Sequence, residues 1–267
     1  MDLFFGENGN QSGKSMERRL EKLKKAKSVF KKASFLCIFA AISVAAQTPS
    51  QTEQLRIQIW SDLDKFPGKF EEEDEISAEK TETAGNDNEF RALYGFAIDT
   101  SKKIAPFLMG GMLYGWNFDY TPYDKTRKVD EFWEFSSVQE FNPSLNRLEF
   151  HNPAVKDGRL VSWVYCDRTA EQKLSFERWS SIVHPKIKGT GKAKVEDEFD
   201  GIREACSQAA KNAVRQYWRS LVKNKPKEIS GTVLLIGAPR IYIKSGLYIV
   251  ELDFFMETDR IVPYIYF

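Results

Sequence analysis

The strongest constraint on the fold is a change of period near Pro226. Upstream, Phe199, Ile202, Cys206, Ala209, Ala210, Ala213, Tyr217, Leu221 and Val222 recur at i, i+3 and i+4 spacing, which is one stripe of a helix. Arg203, Gln208, Lys211, Arg215 and Arg219 fall mostly on the other side. Asp197 is placed to cap the free amides, Glu198 and Asp200 suit the positive end of the helix dipole, and Lys223 and Lys225 suit the negative end. Pro226 stops the helix because it lacks an amide hydrogen and crowds the preceding turn. Downstream the period is two. Gly231 to Gly237 is an apolar run of strand length, Gly237 and Pro239 predict a bulge or bend, and Arg240 to Lys244 resumes the strand. Ser245-Gly246 predicts a turn. In the return strand Tyr248, Val250, Leu252, Phe254 and Met256 share one face, with Glu251 and Asp253 on the other. Such alternation needs a cover on one side, and the helix stripe supplies it.

A shorter version of the same plan runs from Asp87 to Val138. Phe90, Leu93, Tyr94, Ala97, Ile98, Ile104, Ala105 and Leu108 fit a helical stripe; Pro106 bends or ends it, and Gly110-Gly111 finishes it. Met112, Tyr114, Trp116, Phe118 and Tyr120 then alternate with smaller or polar residues, and Phe132, Trp133 and Phe135 mark a return strand. A strand precedes each helix, Leu55 to Trp60 and Ile182 to Lys188. Between the modules, Leu145 to His151 and Arg159 to Cys166 predict strands. Gln172 to Trp179 is a third strand or a short helix, with alternation slightly favouring strand. Gly189-Thr190-Gly191 reads as a plain strand-to-helix turn, or else as an anion seat at the helix end that follows. Ile261 to Phe267 is a last strand; its terminal Phe also fits an outer-membrane barrel, against which two long amphipathic helices argue. The expected class is α+β: two strand–helix–hairpin modules, a mainly antiparallel sheet and a β-rich insert. The expected division is 47–88 for a strand and an acidic flexible linker, 89–140 for the first module, 141–180 for the insert, and 181–267 for the second module with the terminal strand.

The front of the chain differs from the body. Residues 1–46 carry nine Lys and Arg against four Asp and Glu, and the remainder carries thirty basic and thirty-four acidic residues, a net of −4. A mildly acidic body gives no electrostatic reason to expect nucleic acid as a partner. Arg18, Arg19, Lys22, Lys24, Lys25, Lys27, Lys31 and Lys32 precede an uncharged run from Ala33 to Ala46, and Ser43-Val44-Ala45-Ala46 is small enough for a signal peptidase. This predicts a secretory signal over 1–46, cleaved between Ala46 and Gln47, with Met16 as the expected true start. An uncleaved anchor is the alternative, but the run is shorter than the roughly twenty apolar residues a spanning helix needs. The expected product is exported, in the periplasm first, outer-membrane-associated or secreted otherwise, with no stable membrane span after processing. Gly6 to Ser15 imitates a phosphate loop, but G-x-x-x-x-G-K-S requires glycine at position 8, where Asn8 stands.

Few residues suggest reaction chemistry. His151 and His184 are far apart and fit no zinc spacing. Asp62 and Asp64 lie just before a Phe66-Pro67-Gly68 turn, and the stretch reads as a solvated turn in preference to a metal pair. No G-x-S-x-G elbow is present. Thirty-four body acids always let some pair meet, and none is singled out for glycoside hydrolysis. No cofactor, metal or catalytic residue is expected. In an exported protein Cys166 and Cys206 either bridge sheet to helix or remain buried thiols. Tyr114, Trp116, Phe118 and Tyr120 form an aromatic row. With Trp133 and Trp163 it either packs beneath the first helix or lines a groove for sugar or peptide; Tyr114, Trp116, Tyr120 and Trp133 are the candidate ligand or partner surface.

The alanine-rich helix (Ala205, Ala209, Ala210, Ala213), the Gly-Thr-Val strand start at Gly231 and the Tyr-Ile-Val-Glu-Leu return strand resemble helix-plus-hairpin modules of bacterial envelope proteins, those associated with flagella and small outer-membrane lipoproteins. The tract from Ala105-Pro106-Phe107-Leu108 through Tyr114-Gly115-Trp116-Asn117-Phe118 to Tyr120-Thr121-Pro122 resembles uncharacterised spirochaete periplasmic proteins. The resemblance implies location and possible envelope partners, not an activity. The expected function is that of a non-catalytic envelope protein acting through protein–protein contacts. The alternative is a soluble periplasmic protein that binds a sugar or peptide through its aromatic surface.

Overall fold

The alanine stripe and the strand before it determine the tightest packing in the protein. In the computed structural model, which describes residues 54–67, 87–221 and 226–264, helix α3 spans Glu198–Leu221. Its stripe of Ile202, Ala205, Cys206, Ala209, Ala210, Ala213 and Val214 is buried against strand β6, Lys186–Lys194, and strand β8, Leu247–Val262. The approach is close because both sides lack bulk. A Cβ on Gly189 would lie 1.9 Å from the Ala209 carbonyl oxygen, and one on Gly191 would lie 1.9 Å from that of Ala205. Gly189-Thr190-Gly191 is therefore mid-strand, where the helix backbone rides on it, and not the turn expected from sequence. The turn lies later, in a 3-10 segment at Val195–Asp197.

Strand β7, Glu228–Lys244, pairs with β8 as a long hairpin. Ser245 at φ 54° and Gly246 at φ 72° make its two-residue turn left-handed at both positions, which suits the twist of the flanking strands. The register jumps between Ile236 and Arg240, with Gly237 at φ 70°, so the bulge lies where Gly237 and Pro239 place it. Tyr248, Val250, Leu252, Phe254 and Met256 are all buried. Ile261 pairs with Ile229 and belongs to the end of β8, so the expected separate strand from Ile261 does not begin there. Residues 265–267 lie outside the described residues.

Helix α1, Asp87–Leu113, contains Pro106 and runs through Gly110-Gly111, past the stop expected from sequence. Its last three turns bury Ile104, Ala105, Leu108, Met109, Met112 and Leu113. That burial outweighs the local cost of a proline and two glycines. Gly111 is needed for contact, since a Cβ there would lie 2.2 Å from the Trp116 ring. Gly115, at φ 85°, provides the left-handed stop, and its amide and that of Tyr114 donate to the Gly110 carbonyl.

Strands β2, Trp116–Thr121, and β3, Phe132–Ser137, join β7, β8 and β6 in a five-stranded sheet of order β3-β2-β7-β8-β6. Strands β1, Gln54–Asp62, β4, Leu148–Lys156, and β5, Arg159–Asp167, form a three-stranded sheet of order β1-β5-β4. All pairings are antiparallel. Gln172 to Trp179 belongs to a helix, α2, Ala170–Trp179, and not to a strand. The Thr169 side chain caps the Gln172 amide and Gln172 caps that of Thr169, which satisfies two orphan donors reciprocally. Trp179 then packs on Leu234 and Phe255, on the opposite face of the large sheet from α3. The molecule is thus α+β with two antiparallel sheets, and its main core gathers α1, α3 and the inner faces of both. The order strand, helix, hairpin occurs twice, as β1-α1-β2-β3 and β6-α3-β7-β8. The pairing is not the same: β6 joins its own hairpin, whereas β1 pairs with β5.

Candidate functional site

Of the two alternatives for the aromatic row, core or groove, Trp116, Phe118 and Tyr120 take the core. Trp116, Phe118 and Tyr120 are buried, 3% exposed at most. Trp116 packs on Phe107, Phe135 and Phe254, and Phe118 stacks on Trp133 at 5.7 Å. Trp133 is half-buried, and its indole donates to Ser207 Oγ on α3 at 2.9 Å. The Tyr114 hydroxyl joins Asn146 and Gln172 in a network that ties α2 to the loop before β4. The row faces the core because β2 is an inner strand with β3 and β7 beside it and the helices above.

Cys166 and Cys206 are free, buried thiols, so the bridge between them is absent. Cys206 lies in the α3 stripe against the large sheet, whereas Cys166 pairs with Leu55 and Leu148 in the small one. Burial pushes the Cys166 thiol up to about 11 and that of Cys206 to about 12, so neither is a ready nucleophile. His151 contacts Glu149 and the edge of Tyr165; His184 is held by Ser181, the Arg178 carbonyl and the Trp179 ring. Asp62 accepts from Arg159 Nε at 3.3 Å, and Asp64 is exposed. Among the described residues no three His, Cys, Asp or Glu gather as metal ligands. The signal with Ala46 and Gln47, the Gly6 to Ser15 tract and most of the acidic linker lie outside the described residues.

A different aromatic face is open. In the three-stranded sheet Leu55, Ile57, Ile59, Leu160, Val164 and Cys166 point to the core. Their neighbours, at the other parity, build four rungs across β1, β5 and β4. These are Arg56–Tyr165–Glu149, Gln58–Trp163–His151, Trp60–Val161–Ala154 and Asp62–Arg159–Lys156. Arg56 lies over the Trp163 ring at 3.9 Å and Arg159 over Trp60 at 4.0 Å. Each such stack contributes about 0.5–1 kcal/mol at an exposed site and holds a planar cation beside a planar ring. Arg56, Gln58, Glu149 and His151 are exposed, while Trp60, Trp163 and Tyr165 are half-buried. The Trp60 indole donates to the Ile241 carbonyl at 2.9 Å, which fixes its ring against β7. Between this face and the β7 bulge runs a groove of about 510 Å³, walled by Trp60, Trp163, Arg159, Pro239, Arg240 and Tyr242.

The face ends on a free strand. Among the described residues β4 pairs only with β5, and every β4 residue after Leu148 is exposed, including Phe150 and Val155 on the side that elsewhere meets the core. Asn152 at φ 52°, Pro153 and the register shift there blunt the middle of the edge, leaving the Leu148 to His151 half for pairing. Of this site the sequence had pointed to Trp163 alone. The signal for the rest was the second parity of β1 and β5, where Arg56, Gln58 and Trp60 oppose Val161, Trp163 and Tyr165.

Fold and face together define a class, an antiparallel α+β protein with an open aromatic–cationic sheet face. A protein-family model spans residues 42–264, and the chain belongs to that family. An "Uncharacterized protein" of Treponema pallidum (strain Nichols), a spirochaete, is 25% identical over 169 residues, which cover 62% of this chain and 69% of that protein. No solved structure matches. No described helix is long and apolar enough to cross a membrane.

Proposed function

We propose that this chain is an exported, non-catalytic protein of the cell envelope that binds an extended segment of another envelope polypeptide on the outer face and free edge of the three-stranded sheet. The observation that carries the reading is the coincidence of a strand with one free edge and a stacked aromatic–cationic face. Backbone groups of a docked strand would pair with the Leu148 to His151 half of β4, and its side chains would meet Phe150 on one side and His151 on the other. The basic, apolar and small-residue order of residues 1–46 supports export. The sequence resemblance to flagella-associated envelope proteins and small outer-membrane lipoproteins makes those the first partners to try.

The test joins fractionation to partner capture. The cell-associated product should begin at Gln47 and separate with the envelope, and immobilised protein should retain a defined envelope polypeptide that Arg56→Glu fails to retain. A cytosolic product beginning at Met1, or no specific partner, contradicts the proposal. The groove of about 510 Å³ beside Trp60 and Trp163 supports a second reading, a small sugar or peptide held on the aromatic face. In a thermal-shift series with sugars and peptides, stabilisation that Trp163→Ala removes favours that reading, and no stabilisation ends it.

A further inference from the structure

A small cavity of about 200 Å³ lies between the last turns of α3 and the chain leaving β2. It is smaller than the roughly 300–1,000 Å³ pockets that take drug-sized ligands. Trp218, Arg215 and Arg219 line it from the helix, and Pro122, Pro226 and Ile229 supply apolar wall. The Trp218 indole N–H is buried and has no acceptor, alone in this among side-chain groups of the described residues. A buried donor left unpaired costs about 1–3 kcal/mol, and in a native structure such a group calls for a partner.

The charges around the cavity are unbalanced in the same sense. Lys211, Arg215 and Arg219 follow one another at four-residue spacing on α3. Their one acidic neighbour in the cavity lining is Glu131, which accepts from the Tyr120 hydroxyl at 3.1 Å and lies 3.4 Å from Lys211 and 3.8 Å from Arg215. Glu131 is thus already engaged, and positive charge exceeds negative. A ligand that completes the cavity offers acceptor oxygens with negative charge at the polar end and carbon against the prolines and Ile229.

We propose that this cavity binds a small organic carboxylate with an apolar body, its carboxylate accepting from the Trp218 indole and the guanidinium groups of Arg215 and Arg219. Guanidinium matches a carboxylate by paired, charge-assisted hydrogen bonds, and the apolar walls select against a bare, fully hydrated anion. This inference does not depend on the sheet-face reading.

The test uses full-length protein with nitrogen-15 in its indoles; each of the six tryptophans carries one indole N–H, and Trp218→Phe identifies the resonance that matters while keeping a ring. Benzoate is the probe, with benzamide as its neutral analogue and inorganic phosphate as the bare anion. Benzoate should shift the Trp218 resonance saturably, and Arg219→Met, on an exposed position, should weaken it roughly tenfold. Benzamide should leave the resonance unmoved and phosphate should bind at least roughly tenfold less tightly. The proposal is overturned if millimolar benzoate produces no saturable shift, if benzamide matches it, if phosphate binds as well, or if Arg219→Met leaves the affinity unchanged.

Discussion

At the scale of single residues, a glycine and a tyrosine carry more than their composition suggests. Gly191 lets the α3 backbone rest on β6, and an added Cβ would collide with a carbonyl oxygen that has no free end to move. Gly191→Ala should therefore lower stability by about 3 kcal/mol in urea unfolding, and exposed Lys192→Ala on the same strand should stay within about 0.5 kcal/mol. Equal midpoints for the two variants would contradict the packing. Tyr120 is a second case. Burial, then the Glu131 charge and hydrogen bond, raise its phenol from 10.0 to about 12. The unfolded phenol ionises first, so the stabilisation is whole below pH 10.0 and is lost as pH rises through about 12. Between about pH 9 and pH 11 the wild-type urea midpoint should fall, and that of Tyr120→Phe should fall less. Some dependence will remain, because burial raises Tyr248 to about 12 as well.

At the scale of elements, legibility followed the strength of the period. α3 and the β7–β8 hairpin were legible because twenty or more residues repeat one pattern and the turn residues agree with it. α2 stayed open between strand and short helix, with a slight lean to strand, because alternation over eight residues is a weak discriminator. The better signal was Thr169 followed by Gln172, a capping box. Thr169→Ala should cost about 1 kcal/mol in urea unfolding, because it leaves the Gln172 amide without its cap. No loss of stability would mean that α2 is held by Trp179 and the Asn146 network alone. Pro106 and Gly110-Gly111 misled for another reason. They weaken a helix locally, but α1 is held by what its far side buries, and that term is not local. The aromatic row has the same lesson. Parity shows that Trp116, Phe118 and Tyr120 share a face, but only the neighbouring strands and helices decide that this face is covered.

At the scale of the whole molecule, the two sheets are covered differently. The five-stranded sheet is covered by helices on one face and by α2 on part of the other, and its β6 edge carries Lys186, Lys188, Lys192 and Lys194, charges that discourage strand addition. The three-stranded sheet buries one face and leaves the other, with its β4 edge, exposed, and the proposed contact falls there. The direct test is site-specific photocrosslinking in cells that make the protein. A photoreactive residue is placed at Arg56 or His151 on the open face, and at Lys173 on α2 as the control. The account predicts that the two sheet positions trap one envelope polypeptide in common and that Lys173 does not; adducts from Lys173 with none from Arg56 or His151 would contradict it.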